Sequence, residues 1–371
     1  MNVVIAGGGT AGHVFPALAF ARRLVEGEDA SVTFVGTAAG VEAALVPEAG
    51  LPFVEIEASP LARRASVGLL RFPFVVLRSV RRCRPAVADA DLVVGMGGYA
   101  SAPAVLAAFM AGRPVVLHEQ NAIPGLANRV LARRAAAIAV SFPEAERRFR
   151  RRARVVVTGN PVRDSIASVP AERERLAKEG LEELELDAER RTVMVFGGSQ
   201  GALHVNRAAV GACRILRDRA DLQFLLITGT VHHGTIAESL SSRGALLVRT
   251  LAFMHRMELA YAIADLVVCR SGASTVAEVT ACGLPSLLIP YPYATARHQE
   301  ANARALQRVG AASLLLDEHV TPEELAERIE SLIDHEARLK AMAERARAFG
   351  RPDAAERMAE LVVRVARKAA S

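Results

Sequence analysis

Two segments of this chain, VVIAGGGTAGH at residues 3–13 and VMVFGGSQGA at residues 193–202, follow one order: a short apolar run, a cluster of glycines, then a helical pattern. That order is the start of a βαβ unit, and it occurs twice. Short strand-like runs alternate with helical patterns after each start: SVTFVG, DLVVGMGG, PVVLHEQ, AIAVS and RVVVTGN follow the first, and QFLLITGT, ALLVRTLAF, DLVVCRSG and PSLLIPYP the second. The rhythm predicts an α/β protein of two Rossmann-like, doubly wound parallel-sheet domains facing a ligand cleft. The rhythm breaks at Gly159-Asn160-Pro161-Val162-Arg163, before the charged stretch AERERLAKEGLEELELDAERR, so the boundary is expected near residue 161. A length of 371 residues suits two cores better than one.

Aromatic residues make up 5% of the chain and Trp is absent, so the cores must be built from Ala, Val and Leu. The four cysteines, Cys83, Cys213, Cys269 and Cys282, show no paired spacing, which points to a reducing compartment. The amino terminus has no basic region before its first apolar run of about six residues, so that run is read as a strand and not as a signal peptide. The apolar segment Tyr99–Ala111 falls short of the roughly 20 residues of a membrane span. The expected location is the cytoplasm.

Charge is unevenly distributed. Residues 1–160 carry 19 Arg and no Lys against 12 acidic residues, whereas residues 161–371 carry 27 basic against 28 acidic, giving +7 and −1. An anionic partner is therefore expected for the first half. Its densest part is Pro60–Pro85, where Arg63, Arg64, Arg71, Arg78, Arg81, Arg82 and Arg84 alternate with Leu69, Leu70, Phe72, Phe74, Val75, Val76 and Leu77. Basic and apolar groups together suit an anionic membrane surface. Nucleic acid is disfavoured, because no stacking aromatics or recognition motif accompany the arginines.

The glycine spacing also fits a dinucleotide site, but such a site needs an acid at the end of the second strand, which here ends Val35-Gly36-Thr37. Neither loop holds the lysine of a nucleotide-hydrolysing P-loop. What remains is the general device of backbone N–H groups at a helix amino end cradling a diphosphate, one cradle per domain. No Asp-x-Asp pair stands beside either loop to bridge a metal to that diphosphate, and no metal or other cofactor is expected.

Several polar groups gather at predicted strand ends. His13 directly follows the first turn and is placed to accept a proton from a hydroxyl, or simply to pack there. Gly98–Ser101 and the run His118, Glu119, Gln120, Asn121 end two strands, at the sheet edge where ligands bind in such folds. Thr275 and Glu278 have capping-box spacing; alternatively Glu278 faces the ligand and takes the hydroxyls of a ribose. Gln299, at the start of a helix, offers an amide suited to sugar hydroxyls.

Taken in order, GGGTAGHVFPALA, GMGGYASAP, LHEQNAIPGLANR, TGNPVR, FGGSQGA, CRSGASTVAE and HQEANA resemble the MurG family of bacterial cell-wall glycosyltransferases from end to end. The resemblance implies a GT-B fold, with residues 1–161 and a last helix near 353–371 forming an acceptor-binding, membrane-facing domain and residues 162–352 a donor-binding domain. It implies inverting transfer of N-acetylglucosamine from UDP-N-acetylglucosamine to the muramoyl 4-hydroxyl of lipid I, giving lipid II for peptidoglycan, at the cytoplasmic face of the cell membrane. Donor contacts then fall on Thr10, Ala11, Gly12, Asn121, Arg163, Ser199, Met254, Ala273, Ser274, Thr275, Val276, Ala277, Glu278 and Gln299. His13 becomes the base candidate, Glu119 a second catalytic candidate, and Gly9, Tyr99 and His118 acceptor contacts, with the first loop holding the acceptor diphosphate. Two departures stand out: TAGH replaces the usual TGGH, adding a methyl group at Ala11, and His255-Arg256 replaces acidic residues near the expected uracil site. A UDP-N-acetylglucosamine epimerase and a non-catalytic nucleotide-sugar sensor are the alternative readings.

Overall fold

The computed structural model describes residues 1–58, 67–149, 154–198, 201–240 and 244–370, without the side chains of Ala11, residues 67–72 and Ala370. The chain forms two compact units, Met1–Arg163 with Asp353–Ser371, and Asp164–Pro352.

Seven parallel strands make the first sheet: β1 (Asn2–Ala6), β2 (Ser31–Thr37), β3 (Phe53–Ile56), β4 (Leu92–Gly95), β5 (Val115–Glu119), β6 (Ala137–Val140) and β7 (Arg154–Val157). Their order is β3-β2-β1-β4-β5-β6-β7, so the winding reverses between β1 and β4. Both faces are covered, which is why β1 reads as unbroken apolar residues from Val3 to Ala6 and not as an alternation. Val3 and Ile5 pack with Phe20, Leu24 and Phe34 on one side, while Val4 and Ala6 pack with Val35, Val93 and Leu117 on the other. The last helix, Ala354–Ala370, belongs to this unit and inserts Met358, Leu361 and Val362 into the first of those clusters. Each such burial stabilises by about 1.5–3 kcal/mol, far more than the exposed Arg23–Glu356 ion pair beside it.

The second sheet has six parallel strands: β8 (Arg191–Phe196), β9 (Leu222–Ile227), β10 (Leu247–Leu251), β11 (Leu266–Cys269), β12 (Ser286–Leu288) and β13 (Ala312–Leu314). The order β10-β9-β8-β11-β12-β13 reverses between β8 and β11. Val193, Val195, Phe224, Leu226 and Val268 meet Leu325 and Ile329 of the helix Pro322–Ile333 in one core. Two strands go beyond the sequence pattern, β3 and β13. Both lie at sheet edges and hold only four and three residues, and β3 carries the exposed Glu55, so neither makes a recognisable apolar run. All four cysteines are buried and unbridged.

Ligands of doubly wound folds bind at the carboxyl ends of the strands where the order reverses. In the first unit that point lies between the loops after β1 and β4; in the second it lies between those after β8 and β11.

Candidate active site

The loop after β1 is built round a carboxylate. Glu42, fully buried at the start of the helix Glu42–Glu48, receives the Gly9 N–H at 3.1 Å on both oxygens. Its Oε1 also accepts from the Thr37 N–H at 2.9 Å and the Thr37 hydroxyl at 2.7 Å. A methyl group on Gly8 would lie 2.0 Å from Oε1, and one on Gly40 2.1 Å from Oε2, so both positions must be glycine for the carboxylate to fit. The Gly9 amide, expected to help cradle a diphosphate, is engaged here by an internal carboxylate. Sequence reading passed over Glu42 because its partners lie on another strand and another loop.

Thr10 caps the helix Ala11–Glu28 through its backbone only, without a side-chain hydrogen bond. His13 lies in the first turn of that helix, and methyl groups on Gly97 and Gly98 would stand 3.6 and 3.5 Å from its ring. The imidazole therefore covers the turn after β4, at the reversal point of the sheet. Tyr99 joins it there, its hydroxyl 2.9 Å from where a Gly9 side chain would begin.

Behind these residues, the end of β5 is fully polar yet buried. His118 bonds the Gly159 carbonyl through Nε2 at 3.2 Å, and burial pushes its pKa down to about 4, the nearby His13 adding in the same direction. It is a neutral imidazole at physiological pH. The Glu119 carboxylate accepts from the Asn121 and Gly125 backbone N–H groups at 3.0 Å each and from Asn128 Nδ2 at 2.9 Å. Burial raises its pKa, and those hydrogen bonds oppose the rise. Glu119 thus ties residues 119–128 into one loop and positions Asn121.

Around this loop, His118 Nδ1, Gln120 Nε2, Asn128 Oδ1, Asn160 Nδ2 and Oδ1, and Arg163 Nε are buried with no hydrogen-bond partner among the described residues. Buried polar atoms are almost always paired, so these atoms are open to a further polar partner. Asn160 was absent from the sequence candidates; its signal is its place just past β7, matching that of Asn121 past β5. Arg163 holds its guanidinium 5.4 Å above the Phe15 ring.

In the second unit, Gly198 and Gly201 have φ of +94° and +74°, and a side chain on Gly201 would strike the Thr228 carbonyl at 2.2 Å. Ser199 and Gln200 lie outside the described residues. After β11 the helix Ala273–Ala281 begins with Gly272 as its N-cap. Thr275 and Glu278 are therefore both inside the helix, and no capping box forms between them. Glu278 instead receives the Tyr261 hydroxyl at 2.8 Å. Ala273 and Val276 are buried, whereas Ser274, Thr275 and Ala277 are half-buried.

Gln299 accepts from the Tyr291 N–H at 2.9 Å, and its carbonyl accepts from the Ser271 hydroxyl at 2.9 Å, which joins the β11 loop to the helix His298–Arg308. Arg270, buried, clamps the same region through the Ile289 and Pro290 carbonyls and Asp317 Oδ1. Met254 is buried beyond β10. The neighbouring Arg256 pairs with Glu179, Glu183 and Glu258, so that departure from the family pattern is taken up by acids of its own unit.

Residues 3–140 match the Glycosyltransferase family 28 N-terminal domain and residues 192–358 its C-terminal domain. A Bacillus subtilis (strain 168) protein described as UDP-N-acetylglucosamine--N-acetylmuramyl-(pentapeptide) pyrophosphoryl-undecaprenol N-acetylglucosamine transferase is 39% identical, covering 96% of this chain and 98% of its own. A Moorella thermoacetica protein of the same description is 41% identical over 98% of this chain and 99% of its own. The crystal structure of Acinetobacter baumannii MurG superposes with a TM-score of 0.78 at 30% identity, covering 98% of this chain and 99% of that one. The chain belongs to the MurG family.

A UDP-N-acetylglucosamine 2-epimerase from Neisseria meningitidis also superposes, with a TM-score of 0.69, but at 13% identity it shares the fold alone. In this MurG family member the structure brings Gly9, Thr10–His13, Tyr99 and His118–Asn121 to the carboxyl edge of the first sheet. It brings Ala273–Glu278 and Gln299 together at that of the second. Glu42, Asn160, Tyr261 and Arg270 were given no role by the sequence reading, although Asn160 and Arg270 lie inside its motifs.

Proposed function

We infer that this chain transfers N-acetylglucosamine from UDP-N-acetylglucosamine to lipid I, as the names of its full-length relatives describe. The observation that carries the chemistry is His13 lying over the Gly97–Gly98 turn at the reversal point of the first sheet. In the reading we propose, His13 takes the proton of the muramoyl 4-hydroxyl as its oxygen attacks the anomeric carbon. The bond from that carbon to the UDP oxygen breaks, and the configuration inverts. Charge developing on UDP is met by Arg163, by the amides of the second glycine loop with Ser199, and by the amino end of the helix Leu203–Ile215. Met254 contacts the uracil, Ala273–Glu278 the ribose and diphosphate, and Gln299 with Asn121 the sugar. Thr10, Ala11 and Gly12 are further donor contacts in this reading. Tyr99, His118 and Gly9 border the acceptor, with Glu119 acting through Asn121.

The same reading assigns the first unit a membrane-facing role at the cytoplasmic side of the cell membrane. On the helix Val67–Ala88, Phe74 is 74% and Leu77 45% exposed, and Arg78, Arg81, Arg82 and Arg84 are exposed among them. Pro73, Val76, Leu77, Val80, Leu106, Phe109, Met110 and Arg134 line a groove of about 460 Å³ beside this face. Arg63 and Arg64 lie outside the described residues, as do the side chains of Leu69, Leu70, Arg71 and Phe72. Among the described residues no helix is long and apolar enough to cross a membrane.

The test is transfer of labelled N-acetylglucosamine onto a soluble lipid I analogue by wild type and His13→Ala. Product that requires the analogue and collapses in the variant supports the reading. Donor turnover without product points to an epimerase, and binding without turnover in both proteins to a sensor.

A further inference from the structure

Tyr261 has the largest fully buried side chain among the described residues, in the helix Met257–Ile263 of the second unit. Its ring packs edge-on against Phe196, with centroids 6.3 Å apart and planes at 69°. Phe196 is the last residue of β8, directly before the glycine loop. The one polar atom of the ring, its hydroxyl, donates to Glu278 Oε2 at 2.8 Å. One side chain therefore joins the root of the glycine loop to the carboxylate on the helix Ala273–Ala281.

We propose that Tyr261 is a positioning residue for ribonucleotide recognition, holding the Glu278 carboxylate where it meets the ribose hydroxyls; this rests on the reading of Glu278 as the ribose ligand. Packing does not require the phenol hydroxyl, since phenylalanine would fill the same space against Phe196. What the hydroxyl adds is a fixed direction for one oxygen, Oε2, of a half-buried carboxylate. Burial and the Glu278 charge raise the phenol pKa well above its usual value, so the group stays a donor throughout the working range. Burial, and after it the Glu278 charge, raises the thiols of Cys269 and Cys282 as well, so the carboxylate lies close to both.

The experiment is calorimetric titration of UDP and 2′-deoxy-UDP into the full chain, for wild type, Tyr261→Phe, Glu278→Ala and the double variant. Wild type is expected to prefer UDP. In Tyr261→Phe the affinity for UDP should fall about tenfold, with that for the deoxy ligand unchanged. In the Glu278→Ala background the tyrosine change should have no further effect on the preference. A general loss of fold would weaken both ligands alike, which the deoxy ligand reports directly. Should Tyr261→Phe prove too unstable to titrate, Glu278→Asp withdraws the carboxylate by one methylene with the aromatic core intact, and the same loss of preference is expected. Full UDP preference in Tyr261→Phe, with preference lost in Glu278→Ala, overturns the positioning role alone. Full preference in Glu278→Ala removes the ribose reading and the proposal with it.

Discussion

Replacing Glu42 by glutamine tests whether the first glycine loop depends on its internal carboxylate. The wild-type group accepts from three donors, the Gly9 N–H, the Thr37 N–H and the Thr37 hydroxyl, all at 2.7–3.1 Å. Hydrogen bonds to a charged acceptor contribute about 1.5–3 kcal/mol each and neutral ones about 1. Glutamine keeps one carbonyl oxygen for the Thr37 pair, but its amide nitrogen turns a donor toward the Gly9 N–H. Weakening two bonds and opposing part of a third gives a loss of about 2–4 kcal/mol, a large share of the roughly 5–15 kcal/mol of a typical domain. For a unit of this size that lowers the melting temperature by about 5–15 °C. Differential scanning calorimetry of wild type and Glu42→Gln measures it, and the first unit should melt earlier while the second is unchanged. A shift below about 1 °C, with unchanged transfer kinetics, would refute the claim that the loop is built round this charge.

The other expectations cover the chemistry, the pH response and the membrane face. His13→Ala should lower kcat by about 10²–10⁴ while changing the KM for UDP-N-acetylglucosamine only a few-fold, as loss of a proton acceptor does. His118 titrates near 6.5 when unfolded and near 4 when folded, so below pH 6.5 the unfolded chain binds the extra proton first. Stability should therefore fall by about 3 kcal/mol between pH 6.5 and 4 and level off below, and urea midpoints across that window should flatten in His118→Gln. Reversing Arg78, Arg81 and Arg82 to Glu should weaken binding to anionic vesicles by at least about 100-fold in sedimentation, at about 1 kcal/mol per lost cation, and leave neutral vesicles unaffected. Arg78 should contribute least of the three, because Glu57 lies 3.2 Å from it.

The alternation of strands and helices in both units was legible because apolar runs and glycine turns are local signals, and the MurG-family motifs sit at strand ends where the fold exposes them. The supporting residues were not legible for the opposite reason. Glu42 reads as an ordinary acid at a helix start, yet its partner Gly9 is 33 positions away. Tyr261 reads as a core aromatic in AYAIA, and only the fold sets its hydroxyl on Glu278. Arg270 reads as one more basic residue at a strand end, while its partner Asp317 lies 47 positions on. The capping-box spacing of Thr275 and Glu278 misled because spacing does not say where a helix begins. Here Gly272 ends the extended segment, and both residues fall inside the helix.

The two glycine turns look alike in sequence but differ in what stands behind them, and that difference can be measured in the second one. Gly198 has φ of +94°, with no described atom within 4 Å of where its side chain would begin. Gly201 has φ of +74°, and its side chain would meet the Thr228 carbonyl at 2.2 Å. Alanine at Gly198 therefore costs only backbone strain, about 1–2 kcal/mol, while adding a methyl group on the open side of the loop. Alanine at Gly201 must displace β9-end backbone and should leave little folded protein. If the open side of this loop is where the diphosphate of the donor lies, Gly198→Ala folds, melts slightly early and raises the KM for UDP-N-acetylglucosamine at least tenfold. Unaltered donor kinetics in a folded Gly198→Ala would move the diphosphate away from this loop, and with it the division of labour between the two turns.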